Sequence, residues 1–200
     1  MSLAFMCFLS PLASAQENSE GVGVFIEPAI TYEVGKTSVN YPSPFSNSEG
    51  TADGLGLGAV IGLHYNDRFY FGVSGRFSEP KFKDSSVDYD SSAPSMNWGP
   101  VVGLQMADIG LRFWGTYIAA GTMDPERSGS LDVKFSDGTG YRIGTGLKLY
   151  IVSLNLEYQN INYEKSTLES IGPFNPGSTF SGVDLENESW IVSVSFPLEI

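Results

Sequence analysis

A chain of 200 residues with 13% aromatic and 17% charged side chains has enough apolar material for one substantial domain, and a single cysteine, Cys7, excludes a disulfide framework and a cysteine-rich metal site. The formal net charge of −12 argues against nucleic acid as a partner, because an acidic surface repels phosphates. Twenty-three glycines and ten tyrosines point to turns and strands.

The chain opens with S-L-A-F-M-C-F-L-S-P-L-A-S-A, which is apolar, too short to span a bilayer, and ends in the small-residue site Ala13-Ser14-Ala15. We read Met1–Ala15 as a cleaved secretory signal peptide and residues 16–200 as a single domain. No Lys or Arg precedes the apolar run, so translation is expected to start upstream of Met1. Cys7 follows Phe5 and Met6, not the small residues of a lipoprotein site, so no lipid attachment is expected.

Eight alternating segments follow, each about nine to thirteen residues long, the span a tilted strand needs to cross a bilayer. The first, V-G-V-F-I-E-P-A-I-T-Y-E-V, puts Val24, Ile26, Ile30, Tyr32 and Val34 on one face and Glu27, Thr31 and Glu33 on the other. The second, Gly54 to Tyr65, alternates glycine with large apolar residues. Gly54, Gly56 and Ala59 fit a loose nucleotide-loop pattern, but no helical period follows, so that reading is set aside. A run from Phe69 to Ser78 comes next, then W-G-P-V-V-G-L-Q-M, I-G-L-R-F-W-G-T-Y, Y-R-I-G-T-G-L-K-L, V-S-L-N-L-E-Y-Q and W-I-V-S-V-S-F-P-L.

The connections alternate in length. Asn66-Asp67-Arg68, Ala107-Asp108 and Tyr150-Ile151 are tight, whereas residues 37–53, 79–96, 120–139 and 162–188 read as long polar loops. Short turns on one rim and long loops on the other predict an all-β, transmembrane, antiparallel up-and-down barrel of eight strands, with periplasmic turns and extracellular loops. A tight hairpin keeps its flanking residues on one face, so Tyr65 is expected to meet Phe69, Met106 to meet Ile109 and Leu149 to meet Val152. These registers put Gly58 opposite Arg76, Gly103 opposite Arg112, Val101 opposite Trp114, Gly146 opposite Asn155 and Gly144 opposite Glu157. Glycines on the inner face would then make room for large side chains on the next strand. Tyr32, Phe77, Trp98, Tyr117, Tyr141, Tyr158 and Trp190 have outward parity near the long-loop ends of their strands, where a membrane-interface girdle belongs.

On these strands, turns and aromatics the chain resembles the small eight-stranded outer-membrane barrels, the group of the OmpA membrane domain, OmpX and OmpW. The final W-I-V-S-V-S-F-P-L-E-I is similar to the C-terminal signal read by the barrel assembly machinery, although Phe196 is followed here by Pro197-Leu198-Glu199-Ile200. The resemblance implies a monomer in the bacterial outer membrane, in contact with lipid and lipopolysaccharide and without a cofactor.

Parity places Glu27, Glu33, Arg76, Arg112, Arg142, Lys148 and Glu157 inside. Three acids facing four bases in so narrow a space are expected to form a charge network, with Glu157 reaching Arg142 or Arg112 and Glu27 reaching Arg76. His64, the one histidine, faces the lumen beside Tyr70 as a hydrogen-bonded filler, with no serine at a matching spacing to make a lipid-modifying enzyme. Asp84, Asp88 and Asp90, and likewise Asp184, Glu186 and Glu188, lack the spacing and glycine of a Ca²⁺ loop and are expected to be solvated. Asn187-Glu188-Ser189 matches the glycosylation triplet, which carries no meaning in a bacterial protein. The expected function is therefore non-enzymatic, without metal or cofactor: a barrel with a packed polar lumen that anchors acidic surface loops for envelope integrity or for contact with a surface ligand. An OmpW-like channel for small solutes is the alternative, and a lipid A-modifying enzyme ranks third.

Overall fold

The computed structural model describes residues 21–200 other than 42, 44–46, 85–88, 107, 128–130 and 172–177, and for 84, 89, 131, 171 and 178–182 it describes the backbone alone. The leader Met1–Ala15 and Asp88 lie outside the described residues. The strands are β1 (Val22–Asn40), β2 (Ser48–Tyr65), β3 (Phe69–Asp84), β4 (Tyr89–Ser92), β5 (Ser95–Met106), β6 (Leu111–Ile118), β7 (Ala120–Met123), β8 (Leu131–Leu149), β9 (Val152–Ile171), β10 (Ser178–Ser195) and β11 (Leu198–Glu199). Every pairing is antiparallel, and β1 closes the sheet by pairing with β10 as well as β2. A one-residue bulge at Ala119, whose N–H donates to the Trp98 carbonyl at 2.9 Å, divides one spanning strand into β6 and β7. β4 extends the β3 hairpin, and β11 continues the last strand against β1. The ring therefore has eight spanning strands, as the alternation predicts.

Outward positions in the lower barrel are apolar and exposed, among them Ile30, Leu57, Ile61, Val73, Val102, Ile143, Leu156 and Val192. A soluble protein does not leave so continuous a belt in water; a bilayer covers it. The seven expected girdle aromatics lie on the outer surface, and Tyr158 makes ring contacts with Tyr141 at 6.2 Å and Trp190 at 5.3 Å.

Tyr65 does pair with Phe69, and Leu149 with Val152. The turns use left-handed backbone at Asn66, Asp67 and Tyr150. Gly58 faces Arg76, Gly146 faces Asn155 and Gly144 faces Glu157 as expected. The middle hairpin differs. Met106 pairs with Leu111, so Gly103 faces Trp114, Gln105 faces Arg112 and Val101 faces Thr116, a slide of two residues that preserves parity. The cause is Gly110, whose φ of +70° lets a four-residue loop close with its N–H on the Met106 carbonyl at 2.8 Å. Its own carbonyl accepts from Lys148 N at 2.8 Å, which ties the loop to β8.

The strands also run further than the alternation suggests. β1, β2, β8, β9 and β10 reach 18–20 residues, well beyond the roughly 9–11 a membrane strand requires. Much of what reads as long polar loop is thus barrel wall standing above the membrane. In that extension the alternation inverts: Val39, Phe82, Ile118, Met123, Phe135, Ile161, Tyr163 and Leu185 point inward and form one buried cluster, while Lys36, Lys83, Asn162 and Glu164 face out. Water outside favours polar residues there, and the interior takes the apolar ones.

The membrane belt generates a direct test. Ile61→Arg, on the outer face where the belt is apolar, should cost roughly 2–4 kcal/mol, and Asn162→Arg, facing out from the extension opposite Glu186, should cost less than about 1 kcal/mol. Urea unfolding of refolded protein in lipid vesicles should rank the two in that order.

Candidate functional site: the barrel lumen

The inward face carries polar residues because the lipid-facing side takes the apolar ones, and glycine decides where those residues fit. A Cβ on Gly103 would stand 2.2 Å from Tyr70 Cζ, and one on Gly144 would stand 2.4 Å from Trp114 Cε2. Both glycines are hollows in the wall into which a neighbouring ring is laid.

The lower layer centres on Arg112. Its guanidinium donates to both Glu27 oxygens, Nη1 to Oε1 at 2.7 Å and Nη2 to Oε2 at 2.6 Å, a fork that joins β6 to β1 across the lumen. Ser195 Oγ donates to the same Oε1 at 2.6 Å. The cation also lies over the rings of Tyr70, at 5.2 Å, and Trp114, at 5.8 Å. Phe25 and Val101 pack with Tyr70, and Trp114 packs against that cluster.

The middle layer holds two more arginines. Arg76 Nη2 donates to Glu33 Oε2 at 2.8 Å and Nε to Thr31 Oγ1 at 3.3 Å, while Asn187 Nδ2 donates to the other Glu33 oxygen at 3.1 Å. Arg142 is held by neutral acceptors: Gln159 Oε1 at 2.8 and 3.1 Å, Asn97 Oδ1 at 2.5 Å and Ser74 Oγ at 3.4 Å. Glu157 accepts from Trp114 Nε1 at 2.7 Å. Arg142 and Glu157 both line a cavity of about 50 Å³ that also touches Arg76, Arg112 and Thr116. Lys148 is only half-buried and lines the short-turn mouth, which leaves three arginines and three glutamates inside. Among the described residues, the formal charges of these three arginines and three glutamates cancel.

The partners are not the expected ones. Glu27 takes Arg112 instead of Arg76, Glu33 takes Arg76, and Glu157 takes an indole instead of a guanidinium. Strand tilt in a closed barrel brings residues from non-adjacent strands to one height, which parity along the chain does not report. The slide of the β5–β6 hairpin then sets Arg112 opposite Gln105 at the level of Glu27. Ser74, Asn97, Gln159, Asn187 and Ser195 complete the layers; their sole signal in the sequence is polar character at inward parity.

Among solved structures, the outer membrane protein OprG from Pseudomonas aeruginosa superposes with a TM-score of 0.52 at 10% identity, over 92% of this chain and 98% of that one. This chain has the fold of bacterial outer-membrane β-barrels. Neisserial surface protein A is similar at a TM-score of 0.47 and 12% identity, covering 88% of this chain and 99% of that one. The outer membrane protease OmpT from Escherichia coli follows at 0.47 and 10%, over 89% and 97%. No family model matches the chain, and no curated protein matches it. The outer-membrane barrel fold agrees with the apolar belt, which such proteins present to lipid.

Removing one partner of a buried ion pair strands the other. Glu27→Gln should therefore destabilise the barrel by about 3–5 kcal/mol, and the pairwise replacement Glu27→Gln with Arg112→Met should recover part of that loss. Glu157→Gln keeps an acceptor for the Trp114 indole and should cost about 1 kcal/mol. Equilibrium unfolding in urea measures all three.

Proposed function

We propose that the protein is a non-enzymatic integral outer-membrane barrel whose packed lumen supports acidic surface elements, serving envelope integrity or contact with a surface ligand. The observation that carries this reading is a lumen filled at successive heights. Its upper level is dry, built from Ile118, Met123, Phe135, Ile161, Tyr163 and Leu185, and a hydrophobic constriction opposes the passage of hydrated ions. Below it, the arginine–glutamate layers leave a cavity of about 50 Å³, and the short-turn mouth holds another of about 40 Å³, room for a few water molecules each.

The outer end supports the surface role. Exposed acids there include Glu164, Glu169, Glu188 and Asp90, and several bases are already engaged. Lys83 Nζ lies 3.4 Å from Asp90, and a hydrogen bond to Asp124 at 2.9 Å raises the Lys134 amine above the ordinary lysine range. Lys165 is raised in the same way by its hydrogen bond to Asp137. The remaining acidic field favours a cationic partner and speeds its encounter. Lipid and lipopolysaccharide contact the apolar belt, and the barrel assembly machinery acts during insertion.

Planar-bilayer recording on the refolded protein should find no steady conductance. The double variant Phe135→Ala/Tyr163→Ala, which empties the dry layer, should admit measurable current. Steady conduction by the wild type would instead favour a small-solute channel.

A further inference from the structure

At the short-turn rim, below the Arg112 layer, three potential ligands converge. One donor atom each from His64, Asp67 and Glu199 lies within 4.8 Å of the other two. They come from distant parts of the chain: His64 from the end of β2, Asp67 from the turn after it, and Glu199 from β11. β1 runs between them, pairing Gly23 with His64 on one side and Phe25 with Glu199 on the other. Gly23 makes this reach possible, since a Cβ there would stand 2.2 Å from His64 Nε2. The imidazole lies across the bare backbone of β1 toward the last strand.

His64 is 8% exposed, and its Nδ1 has no hydrogen-bond partner although it stands 3.0 Å from Asp67 Oδ1. The distance is right for a hydrogen bond, but the direction is not. A buried ring nitrogen left unpartnered is costly, and here it faces a carboxylate that does not satisfy it. Among the described residues Glu199 makes no ion pair, even though Arg68 and Lys148 line the same mouth.

We propose that His64, Asp67 and Glu199 form a divalent transition-metal site of the Zn²⁺ class that staples the first hairpin to the last strand. One imidazole and two carboxylates are a donor set suited to Zn²⁺, with a fourth position left for water. Ligands held tetrahedrally at about 2.1 Å stand roughly 3.4 Å apart. The His64–Asp67 spacing of 3.0 Å already approaches that value, and the flexible Glu199 side chain closes the remainder. The metal would take the Nδ1 lone pair and both carboxylates, and so hold the seam where β11 meets β1. This assignment departs from the filler role that the sequence suggests for His64. It rests on the closure of the barrel and not on whether the lumen conducts.

The test uses the tag-free full chain refolded in detergent, titrated with ZnCl₂ by calorimetry and with CoCl₂ by visible absorption. The wild type should bind one Zn²⁺ per chain, its thermal midpoint should rise with Zn²⁺ and return with EDTA, and Co²⁺ should give an intense tetrahedral band. Glu199→Gln should unfold at the wild-type midpoint in EDTA yet bind Zn²⁺ at least tenfold more weakly, and His64→Ala should lose the Co²⁺ band. Asp108→Asn, an exposed acid on the same rim, should bind like the wild type. The site is overturned if the wild type takes up no Zn²⁺ saturably, or if Glu199→Gln binds with wild-type affinity.

Discussion

Closure of the sheet is the constraint on which the rest depends. In hydrocarbon no water satisfies a free N–H or carbonyl, so an open edge is not tolerated and the last strand must find the first. The β1–β10 ladder from Ala29–Ser195 to Asn40–Asp184, continued by Phe25–Glu199, meets that requirement. Closing a ring of only eight strands in turn makes the lumen narrow, and the narrow lumen dictates what lies inside it.

Inside, most of the charged and amide side chains answer to one another, because an eight-stranded ring is narrow enough for side chains to meet across it. The three arginines show three solutions. Arg112 uses a bidentate carboxylate and two aromatic faces, Arg76 shares Glu33 with Asn187, and Arg142 relies on amide and hydroxyl oxygens. Most of these contacts tie strands that are not neighbours in the sheet: β6 to β1, β3 to β1, and β8 to β5 and β3. The lumen thus supplies the cross-bracing that the ladders do not.

Above the membrane the same wall changes solvent on its outer side, and its pattern changes with it. The apolar layer inside the extension gives the protruding wall a hydrophobic core of the kind soluble domains have, with Tyr163 and Ile161 fully buried at its centre. Single-residue adjustments make this possible. At Ala119 a bulge shifts inward parity from Ile118 to Gly121 and Met123, and at Asp137, with φ of +55°, it shifts from Gly138 to Phe135.

The sequence by itself carries the number of spanning strands, the identity of their two faces, the short-turn and long-loop rims, and the hollow at Gly146 for Asn155. Gly103 and Gly144, by contrast, take rings from the preceding strands, Tyr70 and Trp114, in place of the expected Arg112 and Glu157. Period-two alternation and turn chemistry are local, so they can be read residue by residue. It also determined that Glu27, Glu33, Arg76, Arg112, Arg142 and Glu157 share an interior. Tertiary structure alone decided who meets whom there. The height of a residue in a closed barrel follows from tilt and from every hairpin register at once, and the four-residue loop at Gly110 moves Arg112 by two positions with no change of parity to betray it. The same holds for the dry layer, whose inverted alternation resembles a loop until the wall is seen to continue, and for His64, Asp67 and Glu199, which approach one another only because the ring closes.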